Sequence, residues 1–116
     1  MAQARLVVGS STKNENILWF TGFYAPDAFI ALEYAGDRIM VVGGMEQGRA
    51  EKESRATIVI APEDLHGDPE KPYDIEELSL LLLRKYGIAA VAVESFFPAK
   101  LFAFLSQNGI AVSFQD

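Results

Sequence analysis

Short apolar runs and helical patterns follow one another along this chain, and their order predicts its architecture. Runs rich in β-branched and aliphatic residues predict strands at 5–8, 29–34, 38–42, 57–60, 90–93 and 111–114. Helices are predicted at 13–20, 45–54, 74–86 and 98–107, the second of them mostly polar. The order β-α-β-β-α-β-α-β-α-β predicts an α/β fold, a mixed sheet of about six strands with helices on both faces.

Local signals support several of these boundaries. Gly36 lies between two strand-like runs and permits the positive φ of a hairpin turn. Asp74 precedes Glu77 by three residues, which resembles a helix capping box. Residues 61–73 include three prolines and form a loop of about 13 residues, a length at which loops usually have a function. The strands at 57–60 and 90–93 are expected to be buried, the second on both faces.

Composition and charge exclude several functional classes. The chain has 116 residues, which predicts a single domain over 1–116 with no further domain. Its formal net charge is −6, which argues against nucleic acid as a partner and against docking on an anionic membrane. It contains no cysteine, and its start lacks the apolar core of a signal peptide. No run reaches the length of a membrane span, so we expect a cytoplasmic protein.

Candidate catalytic residues are few and scattered. His66 is the one histidine, and a metal site needs several ligands that converge in a fixed geometry. We interpret it as an exposed loop histidine; the alternative is that it reaches a catalytic cleft on another domain or subunit. Glu33 and Glu94 are the acids on or next to predicted strands, and nothing pairs them. Glu94 is interpreted as a strand-end residue that bonds to a neighbouring loop rather than as a general base.

Two glycine-containing turns precede predicted helices. Residues 9–13 and 43–48 occupy the strand-to-helix context in which helix N–H groups can bind an anion. Neither segment has the spacing of a P-loop or a dinucleotide-binding motif, so we interpret both as turns and helix caps. The charges at 46–55 alternate at helical spacing, which is typical of a solvated face with ion pairs.

The most distinctive segment is aromatic and spans residues 16–29. Five of its fourteen residues are aromatic. It ends with a turn signal at Pro26, just before the second predicted strand. One interpretation is a plug that closes an end of the core. The other is a contact surface for something outside this chain, since large exposed apolar patches usually mark a partner.

The same segment resembles a known family. Residues 16–23, Asn-Ile-Leu-Trp-Phe-Thr-Gly-Phe, resemble the N-I-x-Y-L-T-G-F signature of the creatinase/prolidase/aminopeptidase P metallopeptidases, with Trp19 where Tyr is commoner. The resemblance is to the N-terminal, non-catalytic domain. Residues 29–42 resemble its next hairpin, residues 46–50 its E-x-x-R-A helix start, and residues 87–94 its G-hydrophobic-E strand.

This resemblance implies a fold and a function. The implied fold is the creatinase N-terminal domain, with a ribonuclease H-like motif. The catalytic pita-bread domain is a separate C-terminal unit, absent from this chain, and there two divalent metal ions (Mn, Co or Zn) are bound by two Asp, one His and two Glu. This chain would have no metal, cofactor or catalytic residue of its own.

The role that this resemblance implies for the domain is to shape substrate access and to take part in a homodimer. The implied partners are the catalytic domain of the same polypeptide and a second subunit. The residues expected to contact them are Trp19, Phe23, Tyr24 and Pro26. A hypothesis of a different class is a free-standing small α/β binding module that uses the Gly9 or Gly43 turn for an anion. Catalysis by the chain itself is a third hypothesis.

Overall fold

The computed structural model describes residues 3–9, Gly22 and residues 28–115. The predicted helix at 13–20 lies outside these residues. The described elements follow in chain order: β1 (Arg5–Gly9), β2 (Phe29–Tyr34), β3 (Asp37–Val41), α1 (Gly44–Glu53), β4 (Ile58–Ile60), α2 (Glu63–His66), α3 (Ile75–Lys85), β5 (Ala90–Val93), α4 (Ala99–Gln107) and β6 (Ala111–Phe114).

The six strands form one mixed sheet in the order β4-β3-β2-β1-β5-β6. β2 is antiparallel to both of its neighbours, whereas β3–β4, β1–β5 and β5–β6 are parallel pairs. All strands except β2 therefore run in the same direction. We call the end at which those five strands finish, and at which β2 begins, the carboxyl end of the sheet. The predicted mixed sheet is confirmed.

Helices cover both faces of the sheet, as predicted. On one face the buried leucines of α3 and α4, such as Leu82 and Leu105, pack with strand residues that include Leu6 and Leu32. On the other face Ala50 of α1 packs with a smaller cluster that includes Met40. The alternation of side chains along each strand produces this separation, since neighbouring residues point to opposite faces.

Local chemistry explains the hairpin and the start of α3. In the turn between β2 and β3, Ala35 has φ 53° and Gly36 has φ 88°, and two positive φ values match the right-handed twist of a two-residue hairpin. The Asp74 carboxylate accepts a hydrogen bond from the backbone N–H of Glu77 at 3.1 Å. The predicted N-terminal cap of α3 is therefore present.

Three predicted features differ in the structure. β4 lies at one edge of the sheet with β3 as its one described neighbour, so Ile58 is only half-buried. β5 is not covered on both faces along its whole length, because Ala90 is exposed. The predicted loop at 61–73 contains the short helix α2, which ends at Gly67 with φ 80°. Pro62 does not prevent that helix, since proline is compatible with the start of a helix.

Candidate functional site

The aromatic segment is connected at both ends to the carboxyl end of the sheet. Gly9, the last residue of β1, is paired with Phe29, the first residue of β2. The chain therefore leaves β1 and enters β2 at the same end of the sheet. β5, which neighbours β1 on its other side, ends there as well and continues into Glu94. Trp19, Phe23, Tyr24 and Pro26 lie outside the described residues.

Gly22 is the described residue of the Asn-Ile-Leu-Trp-Phe-Thr-Gly-Phe run, and two features favour glycine there. Its φ is +64°, in the left-handed region that L side chains rarely adopt. A Cβ at this position would lie 3.2 Å from both Cγ and Nε of Arg55, which is tighter than an ordinary contact. Arg55 lies in the connection between α1 and β4. Gly22 therefore lies close to this connection.

Gly22→Ala is expected to destabilise the domain more than Gly87→Ala. Gly87 has a nearly identical φ of +66° but no atom within 4 Å of an added Cβ, so it reports backbone strain alone. That strain costs about 1 kcal/mol, and crowding against Arg55 adds to it at Gly22 alone. Urea unfolding of both variants measures the difference.

Repeating Gly22→Ala in an Arg55→Ala background completes a double-mutant cycle. The excess cost of Gly22→Ala over Gly87→Ala should disappear in that background. Equal costs for the two glycine variants in the wild-type background would contradict the contact.

The connection between β4 and α3 is hydrogen-bonded to the carboxyl end of the sheet. The Tyr73 hydroxyl donates a hydrogen bond to the backbone carbonyl of Val41, the last residue of β3. Burial raises the pKa of Tyr73 far above its usual value. Two residues earlier, Lys71 Nζ lies 2.6 and 2.7 Å from the two carboxylate oxygens of Glu77. The predicted long loop is thus an ordered connection.

Tyr73→Phe is expected to lower the free energy of unfolding by about 1 kcal/mol near neutral pH, because a partly buried hydrogen bond is lost. In the wild type the unfolded tyrosine ionises near pH 10 while the folded one stays protonated. Above that pH the unfolded state binds fewer protons than the folded state, so this contribution to stability falls as pH rises.

The difference between wild type and Tyr73→Phe should therefore shrink between pH 9 and pH 11, as measured by urea unfolding at each pH. All other titrating groups are common to both proteins and cancel in that difference. A difference that stays constant over this range would contradict a buried, protonated Tyr73.

His66 is not the exposed loop histidine that was expected. It is the last residue of α2 and is half-buried. Its Nδ1 accepts a hydrogen bond from the backbone N–H of Asp68 at 3.1 Å, and its Nε2 is buried with no partner among the described residues. The ring is therefore held against the protein. The prediction failed because the short helix that ends at His66 was not recognised.

The acidic residues do not converge on a metal site within the described part of the chain. No three His, Asp or Glu side chains there are placed to bind one ion together. Glu33, which lies 3.6 Å from Arg38 in a surface ion pair, is paired in the sheet with Arg5 at the start of β1. Glu94 is 2% exposed and lies at the opposite, carboxyl end of the sheet. The burial of Glu94 suits a structural strand-end residue; its bond to a neighbouring loop stays a prediction.

The Gly43 turn is a helix cap, as interpreted from the sequence. Gly43 is the N-cap of α1, and its carbonyl accepts a hydrogen bond from Glu46 N–H at 2.9 Å. Glu46 places a carboxylate in the first turn, where an incoming anion would be repelled. The Arg49 guanidinium contacts both Glu46 and Glu53, and hydrogen bonding to Glu46 raises its pKa. The predicted solvated face with ion pairs is confirmed.

Two exposed phenylalanines were not singled out from the sequence. Phe96 follows β5 and is 83% exposed, and Phe114 ends β6 and is 58% exposed. Their backbone positions are close, since Phe114 pairs in register with Val93 at the end of β5. Consecutive Phe96 and Phe97 before a proline were a usable signal, because adjacent residues in a turn rarely both point inward.

Comparison with known proteins defines the fold. No protein-family profile and no curated protein sequence matches the chain. Among solved structures, the X-Pro aminopeptidase from Thermotoga maritima MSB8 matches with a TM-score of 0.74 at 16% identity, over 98% of this chain and 31% of that chain. An XXA-pro aminopeptidase from Streptococcus pyogenes matches with a TM-score of 0.68 at 18% identity, over 97% and 78%.

A third match is a solved structure of an N-terminal domain. It is the creatinase/prolidase N-terminal domain of an X-Pro dipeptidase from Streptococcus pyogenes, with a TM-score of 0.60 at 15% identity, over 98% of this chain and 81% of that chain. The chain therefore has the fold of the creatinase/prolidase N-terminal domain, as the sequence resemblance implied. It spans about a third of the Thermotoga chain.

Proposed function

We propose that this chain is the non-catalytic N-terminal domain of an Xaa-Pro peptidase of prolidase or aminopeptidase P type. The supporting observation is that nearly the whole chain matches the fold of such a domain, in a protein about three times as long. The Asn-Ile-Leu-Trp-Phe-Thr-Gly-Phe run adds support, because its glycine has a positive φ and a close approach to Arg55, both of which favour glycine. The partner is then a catalytic domain of the same polypeptide.

The chemistry belongs to that catalytic domain. The two divalent metal ions proposed there would polarise the scissile carbonyl and activate a water molecule. The described residues of this chain do not fit a metal ion, since no three potential ligands among them converge and the buried His66 Nε2 has no hydrogen-bond partner there. This chain contributes a surface and no step of the reaction.

That surface is the aromatic segment, whose flanking strands meet at the carboxyl end of the sheet. Trp19, Phe23, Tyr24 and Pro26 are proposed to contact the catalytic cleft or a second subunit and so to shape one wall of the substrate entrance. Support comes from the aromatic density of the segment, in which five of fourteen residues are aromatic.

Trp19 is the one tryptophan of the chain, so its fluorescence reports on this segment without background. Acrylamide should quench Trp19 in the folded 116-residue chain nearly as efficiently as in the same chain unfolded in urea. The physical reason is that a contact surface without its partner is open to solvent. Strong protection of Trp19 in the folded chain would instead identify the segment as a plug of the core.

The alternative is a free-standing binding module that uses the Gly9 or Gly43 turn for an anion. Inorganic phosphate would then raise the melting temperature, since a ligand of the folded state stabilises it by mass action. We expect no such rise, because Glu46 occupies the first turn after Gly43. We also expect no hydrolysis of Xaa-Pro dipeptides by the purified chain with Mn²⁺ or Co²⁺. Hydrolysis would refute the proposal, and a phosphate-dependent rise would favour the module.

None of the described helices is long and apolar enough to cross a membrane. We place the protein in the cytoplasm, in keeping with its lack of cysteine, and propose a homodimer without nucleic-acid or membrane partners.

A further inference from the structure

β6 is an edge strand whose outer side is covered by no other described strand. Its one described neighbour is β5. The N–H groups of Ala111 and Gln115 donate to the carbonyls of Ala89 and Val93, both at 2.8 Å. Because backbone groups alternate along a strand, the N–H and C=O groups of Val112 and Phe114 point away from β5. No described strand pairs with these outward groups.

β6 also carries an exposed apolar side chain. Phe114 is 58% exposed, and its ring stacks on that of Phe102 of α4 at 5.4 Å with an interplanar angle of 8°. Edge strands are usually protected from pairing by charged residues, proline or a bulge. The sequence of β6, Ala-Val-Ser-Phe, contains neither charge nor proline, and its register with β5 is continuous.

Charge indicates which partner suits this edge. Residues 101–115 contain no Asp, Glu, Lys or Arg, although 22% of the chain is charged and its net charge is −6. Two copies of an acidic protein can therefore meet through β6 without opposing like charges. The other edge strand, β4, has three residues and lies between charged residues, including Arg55 and Glu63. It is a poorer candidate for pairing between copies.

We propose that β6 pairs antiparallel with β6 of a second copy, across a twofold axis at Ser113. Val112 of each copy would exchange both backbone hydrogen bonds with Phe114 of the other copy. The phenylalanine would also pack beside that valine, a favourable cross-strand pair. Such an interface is the same on both copies, so it closes at two and does not propagate.

The two Ser113 residues would face each other in a pair that has no mutual hydrogen bonds. Side chains are closest in such pairs, with Cα atoms about 4.5 Å apart. The inference deepens the homodimer of the proposed function by naming its surface, but it rests on described residues and not on the peptidase assignment. An edge contact is small, so a concentration-dependent dimer is expected.

Sedimentation velocity over about 1 μM to 1 mM tests this pairing. The wild-type chain should shift from monomer to dimer within that range. Ser113→Lys and Ser113→Glu should each raise the dimer Kd by about tenfold or more, because each places two like charges across the axis. An equimolar mixture of the two variants should dimerise again, since opposite charges then face each other. Ser113 is exposed, so both variants should fold.

Glu51→Gln is the matched control for Ser113→Lys, because both change the net charge from −6 to −5. Glu51 is exposed on α1, which contacts the opposite edge of the sheet. The dimer Kd of Glu51→Gln should therefore equal that of the wild type. A monomeric wild type, a dimer insensitive to either Ser113 variant, a mixture that stays monomeric, or an equal effect of Glu51→Gln would overturn the proposal. None of these results bears on the substrate-entrance role, which Trp19 quenching tests separately.

Discussion

The antiparallel pairing of β1 with β2 is the constraint on which the rest of this structure depends. Five consecutive residue pairs, from Arg5–Glu33 to Gly9–Phe29, place these two strands at the centre of the sheet. β3 and β4 add on one side, and β5 and β6 add on the other. A slip of one residue in this register would exchange the faces of Leu6 and Val7 and so mix the two apolar clusters.

The same pairing determines where the aromatic segment joins the sheet. With Gly9 and Phe29 side by side, the chain leaves β1 and enters β2 at the carboxyl end. Gly22 approaches Arg55, in the connection that enters β4 at the opposite end of the sheet. At the carboxyl end the Tyr73 hydroxyl bonds to the carbonyl of Val41, and this partly buried polar group is tolerated because it is hydrogen-bonded.

Features that depend on residues close in sequence could be predicted, but contacts between residues distant in sequence could not. The hairpin at Gly36 and the cap at Asp74 were predicted because each depends on residues within a few positions. The exposure of Ala90 and Phe114 depends on strand order, which periodicity does not report. His66 was misplaced because a four-residue helix leaves almost no periodic signal. For the candidate site, the motif predicted the fold, but the partner of Gly22 is 33 positions away in the chain and had no sequence signal.

The DNA directly downstream of the Asp116 codon tests the central claim most directly. If this chain is the N-terminal domain of an Xaa-Pro peptidase, the reading frame should continue for roughly the remaining two thirds of such an enzyme, in proportion to the Thermotoga match. That continuation should encode two Asp, one His and two Glu in the order of the metal ligands. A stop codon immediately after Asp116, or a continuation without those ligands, would contradict the account.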